Sequence, residues 1–157
     1  MSIKVREFQA EDADALAKMV HAAVHEGAAS AYDETQRAAW SPAPRSAEAM
    51  RERIRGQFVL LAEDEAGLAG VFTLTDEGCI DLAFVRPDQM GQGTATRLHT
   101  EILKAAGRKG LSQLTVEASH LARRFFSKHG WQVIETQTVY AQGVALENHK
   151  MVLQLEP

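Results

Sequence analysis

The stretch VRPDQMGQGTATRLHTEIL, Val85 to Leu103, constrains the fold more than any other part of the chain. A strand ends at Val85, Pro87 stops ladder pairing, and helical periodicity resumes with Ala95, Leu98, Ile102 and Ala106 on one face. Between strand and helix lie Gly91 and Gly93, which have no Cβ and let the backbone turn sharply and approach a ligand closely. The first N–H groups of a helix are unpaired and point outward, and with the helix dipole they suit a phosphate or pyrophosphate. Two glycines can also form a plain tight turn, so the surroundings must decide.

Three strand-like runs, 57–63, 69–75 and 79–85, precede the junction, separated by the hairpin-turn sequences DEAG and DEG. The strand that feeds the glycines therefore closes an antiparallel meander. Further upstream, IKVREF reads as a strand, and 11–26 reads as a helix with Leu16, Met19, Val20 and Val24 on one stripe and the acidic turn EDAD at its positive end. The segment 27–44 is irregular, with Asp33 placed to cap a short helix that stops before Ser41-Pro42. Ser46 is placed to cap a helix ending near Gly56. After the junction come a helix to about Ala106, a strand SQLTVEAS, a helix HLARRFFSKHG and two strands over 131–140 and 147–155. The order predicts one α/β domain over 1–157, with a mixed, mostly antiparallel sheet of six or seven strands flanked by helices.

The two commoner phosphate loops do not fit this junction. A P-loop needs G-x-x-x-x-G-K-[ST], and no lysine follows Gly93 before Lys104. A dinucleotide fingerprint would start at Gly91, but Thr96 takes the place of the third glycine and the preceding strand belongs to a meander. A net charge of −4 leaves no basic stripe, so no nucleic-acid partner is expected. No run approaches the roughly 18 apolar residues of a membrane helix. The opening MSIKVREFQAEDAD carries no apolar leader, which predicts a cytoplasmic protein with no membrane partner. Cys79 is the lone cysteine and the six histidines show no H-E-x-x-H spacing, so no metal is expected.

The loop resembles that of the GNAT superfamily of acetyl-CoA-dependent N-acetyltransferases, roughly V-x-P-x-x-[RQ]-x-x-G-x-[GA]. Val85, Pro87, Gly91, Gly93 and Ala95 fall in register, while Met90 stands where the family has arginine or glutamine and offers no side-chain contact to the pyrophosphate. LTVEASHLARRFFSKHGWQVI is similar to the second half of that core, with Ala122, Phe125, Gly130 and Trp131 on its pattern, and YDETQRAAW with IDLAFVRP and VEAS looks like the YafP-like branch. The resemblance implies an acyltransferase with acetyl-CoA as cosubstrate and no metal. It implies a cofactor site made by Ala83, Phe84 and Val85 on the strand, by Met90, Gly91, Gln92, Gly93, Thr94, Ala95 and Thr96 in the loop, and by Ser119, Ala122 and Phe125 beyond it.

Amine attack on a thioester needs a neutral amine, a donor to the oxyanion and a proton for the thiolate. A backbone N–H on the strand edge at 83–85 can serve the oxyanion. For the base, strand alternation puts Cys79, Asp81, Ala83 and Val85 on one face, which makes Asp81 the first candidate and Glu117 the second. Either carboxylate could instead be a surface charge or an ammonium anchor that leaves deprotonation to water. The resemblance aligns the family's acidic tyrosine with Phe126, so Ser119, Tyr140, water or no acid at all must serve the thiolate. Ser119 also suits the cap of the helix after it. Cys79 reads as a small strand residue rather than a nucleophile, and His129 as a cation at a helix C-terminus. Acceptor recognition is expected from Glu26, Tyr32 and Trp40, with Asp33 and Glu34 nearby. The sequence predicts acetyl transfer to a primary amine of a small molecule by direct attack, in a monomer or homodimer. A CoA-binding sensor without turnover and a protein lysine or N-terminal acetyltransferase stand as alternatives.

Overall fold

The computed structural model describes residues 2–156. β1 (Lys4–Glu7) leads through a 3₁₀ turn (Ala10–Asp12) into α1 (Ala13–Ala22), which ends in a π turn (Ala23–Gly27). The helix expected over 11–26 is thus three short helical types in series. α2 (Glu34–Trp40) and α3 (Ala47–Arg53) follow, capped as the sequence indicates: Asp33 Oδ1 accepts from the Gln36 amide at 2.8 Å, and Ser46 Oγ from that of Ala49 at 3.1 Å.

Next come β2 (Phe58–Asp64), β3 (Gly67–Leu74), β4 (Cys79–Ile80), β5 (Ala83–Val85) and α4 (Thr94–Arg108). The chain closes with β6 (Gln113–Ala118), α5 (His120–Lys128), β7 (Gln132–Ala141) and β8 (Val144–Gln154). β8 starts earlier than the sequence suggests, because Gln142 and Gly143 both take positive φ, 48° and 79°, and close a two-residue hairpin.

The strands make two four-stranded sheets, ordered β1-β2-β3-β5 and β4-β6-β8-β7. Their junction lies in the run 79–85, which the sequence presents as one strand. β4 pairs in parallel with β6 through Cys79–Thr115 and Ile80–Val116, and then β5 turns back to pair antiparallel with β3. One continuous strand has become two, which gives eight strands in place of the expected six or seven.

The break changes side-chain parity. Ile80 and Ala83 pack in the core beneath α4, with Leu98, Ile102 and Ala106, whereas Leu82 and Phe84 pack on the other side, with Leu16, Val20 and Met50 of α1 and α3. Plain alternation would have put Ile80 with Leu82. The consecutive residues Asp81 and Leu82 instead face the same side, as at a β-bulge. Two cores, one on each face of the first sheet, hold this break rigidly. Leu98 and Ile102 are fully buried in α4, where truncation to alanine costs about 2–5 kcal/mol. No described helix is long and apolar enough to cross a membrane.

Candidate active site

Divergence of the sheets leaves one edge of β5 bare. Thr73 N–H donates to the Leu82 carbonyl at 3.0 Å and Arg86 N–H to that of Ala69 at 2.8 Å. In an antiparallel ladder every second residue makes such bonds, so Ala83 and Val85 turn their N–H groups away from β3. β6 has departed with β8, and those amides face a cavity of about 210 Å³. Ala83, Phe84 and Val85 form one wall, Met90, Gly91 and Ala95 the loop end, and Ser119, Ala122, Phe125 and Phe126 the opposite wall.

The loop explains its own glycines. Gly91 and Gly93 have φ of 75° and 87°, and neither has an atom within 4 Å of where a Cβ would stand. Backbone conformation, and not crowding, requires glycine there. The Gln92 amide bonds to the Gln89 carbonyl at 3.2 Å, whereas those of Gly91, Gly93, Thr94, Ala95 and Thr96 have no partner among the described residues. Thr94 Oγ1 donates to Gln89 Oε1 at 2.9 Å in a buried contact, and Arg86 pairs with Asp64 at 2.6 Å, so the loop is anchored at both ends. Its open donors lie at the N-terminus of a fifteen-residue helix. Met90 lines the cavity with an apolar thioether, and Gln92 and Thr96 are exposed beside the donors, Thr96 Oγ1 lying 3.4 Å from His129 Nε2.

A second cavity of about 320 Å³ meets the first where Trp40, Ala83, Phe84, Ser119, Ala122 and Phe126 line both. It extends to Tyr32, Asp81, Glu117 and Glu147, and to two residues the sequence did not single out, Arg45 and Arg53. Tyr32 and Trp40 meet edge to face at 5.5 Å. The Tyr32 hydroxyl donates to the Glu147 carbonyl at 2.6 Å and accepts from the His120 amide at 3.1 Å. Burial raises its pKa, so it is a neutral structural post.

Several expected roles change here. Glu26 is exposed and lines neither cavity, and Asp33 is engaged as the α2 cap; the acids that reach the second cavity are Asp81, Glu117 and Glu147. Tyr140 is 73% exposed and lines neither cavity, because strand alternation turns Val139 and Ala141 inward and Tyr140 outward. Cys79 is half-buried, and burial pushes its thiol pKa up, away from the nucleophilic thiolate. His129 sits at the C-terminal end of α5, with Nδ1 2.9 Å from the Phe125 carbonyl.

Asp81 is not a free carboxylate. Arg53 grips it from two nitrogens and Gln57 Nε2 adds a third bond at 3.0 Å. Burial pushes the Asp81 pKa up, but the hydrogen bonds and charge of Arg53, with help from Gln57, outweigh it and hold the carboxyl below its usual range. That is an anchor's environment and a poor one for a base. Glu117 is exposed on β6 and takes one bond from Gln137 Nε2 at 2.9 Å. Ser119 Oγ accepts from the Ala122 amide at 3.1 Å, as a cap, and Ser119 lines both cavities where they meet. Phe126, fully buried against Phe72 and Trp131, has no proton to give.

The chain is similar to several known proteins over most of its length. The family described as "Acetyltransferase (GNAT) domain" matches residues 28–154. The N-acetyltransferase YafP of Escherichia coli K12 is 30% identical over 150 residues, covering 96% of this chain and 95% of that protein. A GCN5-related N-acetyltransferase from Rhodopseudomonas palustris superposes with a TM-score of 0.92 at 32% identity, covering 99% of this chain and 97% of that one. The PaiA N-acetyltransferase of Thermoplasma acidophilum, solved with coenzyme A, shares the fold at a TM-score of 0.79 and 18% identity, over 99% and 100% of the two chains.

Proposed function

The chain belongs to the GNAT family of acetyltransferases, and on that premise we propose that it moves acetyl from acetyl-CoA to a primary amine of a small molecule by direct attack. The observation that carries this reading is the bare edge of β5: Ala83 and Val85 present N–H groups to a cavity that runs from the open amides of the glycine loop to the second, polar cavity. The pyrophosphate is assigned to the amides of 91 and 93–96, and the pantetheine arm to the β5 edge, where it adds like a strand. The neighbour from Thermoplasma, solved with coenzyme A, supports coenzyme A as the ligand of this fold.

In this reading the acceptor amine lies in the second cavity and its nitrogen attacks the thioester carbonyl carbon. A β5 amide stabilises the oxyanion, a term commonly worth about 10²–10³ in rate. The carbon–sulfur bond then breaks. The amine's proton passes to Glu117, directly or through water, and from there to solvent; Ser119 relays a proton from water to the departing thiolate, recovering its own as it gives one up, so that an acetamide and free coenzyme A leave. Trp40 and Tyr32 close the acceptor side with apolar surface, which supports a small molecule over a protein chain.

Incubation with acetyl-CoA and a small-molecule cell extract, followed by mass spectrometry for a gain of one acetyl group, tests the reading. New acetamides with stoichiometric thiol release are expected. Tight coenzyme A binding with no acetylated product from any amine would overturn it.

A further inference from the structure

The second cavity is lined by charges of both signs. Arg45 and Arg53 both line it at the α3 end, with Asp81 as the carboxylate between them. Arg53 engages Asp81 through Nε and Nη2, which leaves Nη1 for another partner. Arg45 makes no hydrogen bond or ion pair among the described residues. Although Arg45 is exposed as a residue, partial withdrawal of its guanidinium from water and the like charge of Arg53 lower its pKa, against the pull of Asp81. Asp81 pairs with Arg53, which leaves the Arg45 guanidinium without an ion-pair partner among the described residues. Glu117, Glu147 and Asn148 line the same cavity, and Glu117 is in no ion pair among the described residues.

We infer that the acceptor carries a carboxylate as well as its amine, as an amino acid does, with the carboxylate held by Arg45 and the free edge of Arg53 and the amine toward Glu117 and the thioester. The inference rests on the acetyl-transfer reading above and names the class of its substrate. Guanidinium groups match carboxylates in planarity and can donate two parallel bonds, which a lone ammonium cannot do. Asp81 fixes the Arg53 plane before any ligand arrives, so that ordering does not have to accompany binding. Glu117, an exposed carboxylate outside any ion pair among the described residues, attracts the ammonium on arrival and can accept its proton afterwards. A neutral hydrophobic amine would leave Arg45 without a partner, and a polycation would meet it with repulsion.

The test uses the intact protein with acetyl-CoA and a panel of L-amino acids, each paired with its amide and with its decarboxylated amine, read by thiol release. The best acid is expected to exceed its amide and amine partners in kcat/KM by at least about tenfold, the usual weight of one charge-assisted hydrogen bond. The amide's amine is the less basic and more abundant as free base, so this preference runs against intrinsic reactivity. Arg45→Met is expected to raise KM for the acid about ten- to a hundredfold and to collapse the acid-to-amide ratio toward one, with acetyl-CoA affinity by calorimetry reporting on the fold. Turnover of amides or amines equal to or better than that of acids, or an unchanged ratio in Arg45→Met, overturns this inference and leaves acetyl transfer standing. Silence across the whole panel with coenzyme A bound also overturns the inference, and the cell-extract experiment above then decides separately whether acetyl transfer stands.

Discussion

Arg53 holds Asp81 across 28 residues of sequence, with Nε 3.0 Å from Oδ2 and Nη2 2.8 Å from Oδ1. One carboxylate of the second cavity is thereby fixed and kept ionised, while Glu117, just past the last β4–β6 pair at Ile80 and Val116, keeps an exposed carboxylate. Position in strand alone does not separate the two. Their partners do.

The division predicts different kinetics for two isosteric substitutions. Glu117→Gln should lower kcat/KM by about 10²–10⁴ with acetyl-CoA affinity unchanged, as loss of a base does. Asp81→Asn should loosen Arg53 and raise KM for the amine while kcat at saturation stays near wild type. Steady-state kinetics on both variants decides, and a collapse of kcat in Asp81→Asn with a normal Glu117→Gln would reverse the assignment.

Gly93→Asp tests the loop. Its φ of 87° strains any side chain, though Asp tolerates the left-handed region better than most, and open space around the Cβ position means no clash with the fold. Circular dichroism should therefore report a folded protein. Calorimetry should report a strong loss of coenzyme A affinity, because a carboxylate now stands among the open amides; unchanged affinity would move the pyrophosphate elsewhere.

Acid stability should be governed in part by His99. The indole Nε1–H of Trp131 donates to its Nε2 at 3.0 Å, and burial, with a smaller push from His129, brings its pKa down to about 4. Between there and the ordinary value of about 6.5 the unfolded chain binds a proton that the folded chain refuses. Stability therefore falls as pH drops through that window, by up to about 1.4 kcal/mol per unit, and this contribution levels off below it. His99→Gln keeps an acceptor for Trp131 and removes the titration. Urea unfolding at several pH values should give that variant a shallower slope; matching slopes would show that His99 does not titrate in this way.

Much of this was legible in the sequence because the signals were local. Glycines after a strand, Asp33, Ser46 and Ser119 before helices, and the periodicity of α4 each act within a few residues. What was not legible depends on partners far apart in the chain. Parity in the run 79–85 failed because β6 claims Cys79 and Ile80 while β3 claims 83–85, and no local pattern announces that contest. Arg53 differs from its neighbours on α3 only by what it meets, and Arg45 lies in a loop without periodicity. The acids near Tyr32 drew attention by proximity in sequence, yet Asp33 was a cap and Glu26 a surface charge.

The missing tyrosine gives the last prediction, because Ser119 has two duties that can be separated. Its oxygen caps α5, and the residue lines both cavities, where its hydroxyl can also donate. Ser119→Ala should cost about 1 kcal/mol of stability through the cap alone, seen as a lower melting temperature, and should lower kcat at neutral pH through loss of the acid. A coenzyme A thiol has a pKa near the usual value of about 8.5, so well above that pH the thiolate leaves unaided and variant and wild type should converge. Phe126→Tyr places a phenol beside the same junction, since Phe126 lines both cavities. Added to Ser119→Ala, it should restore kcat near neutrality without restoring the cap, so activity recovers while the melting temperature does not. Equal kcat in wild type and Ser119→Ala across the pH range would assign the proton to water, and a double variant no faster than Ser119→Ala would show that a hydroxyl at 126 does not reach the leaving sulfur.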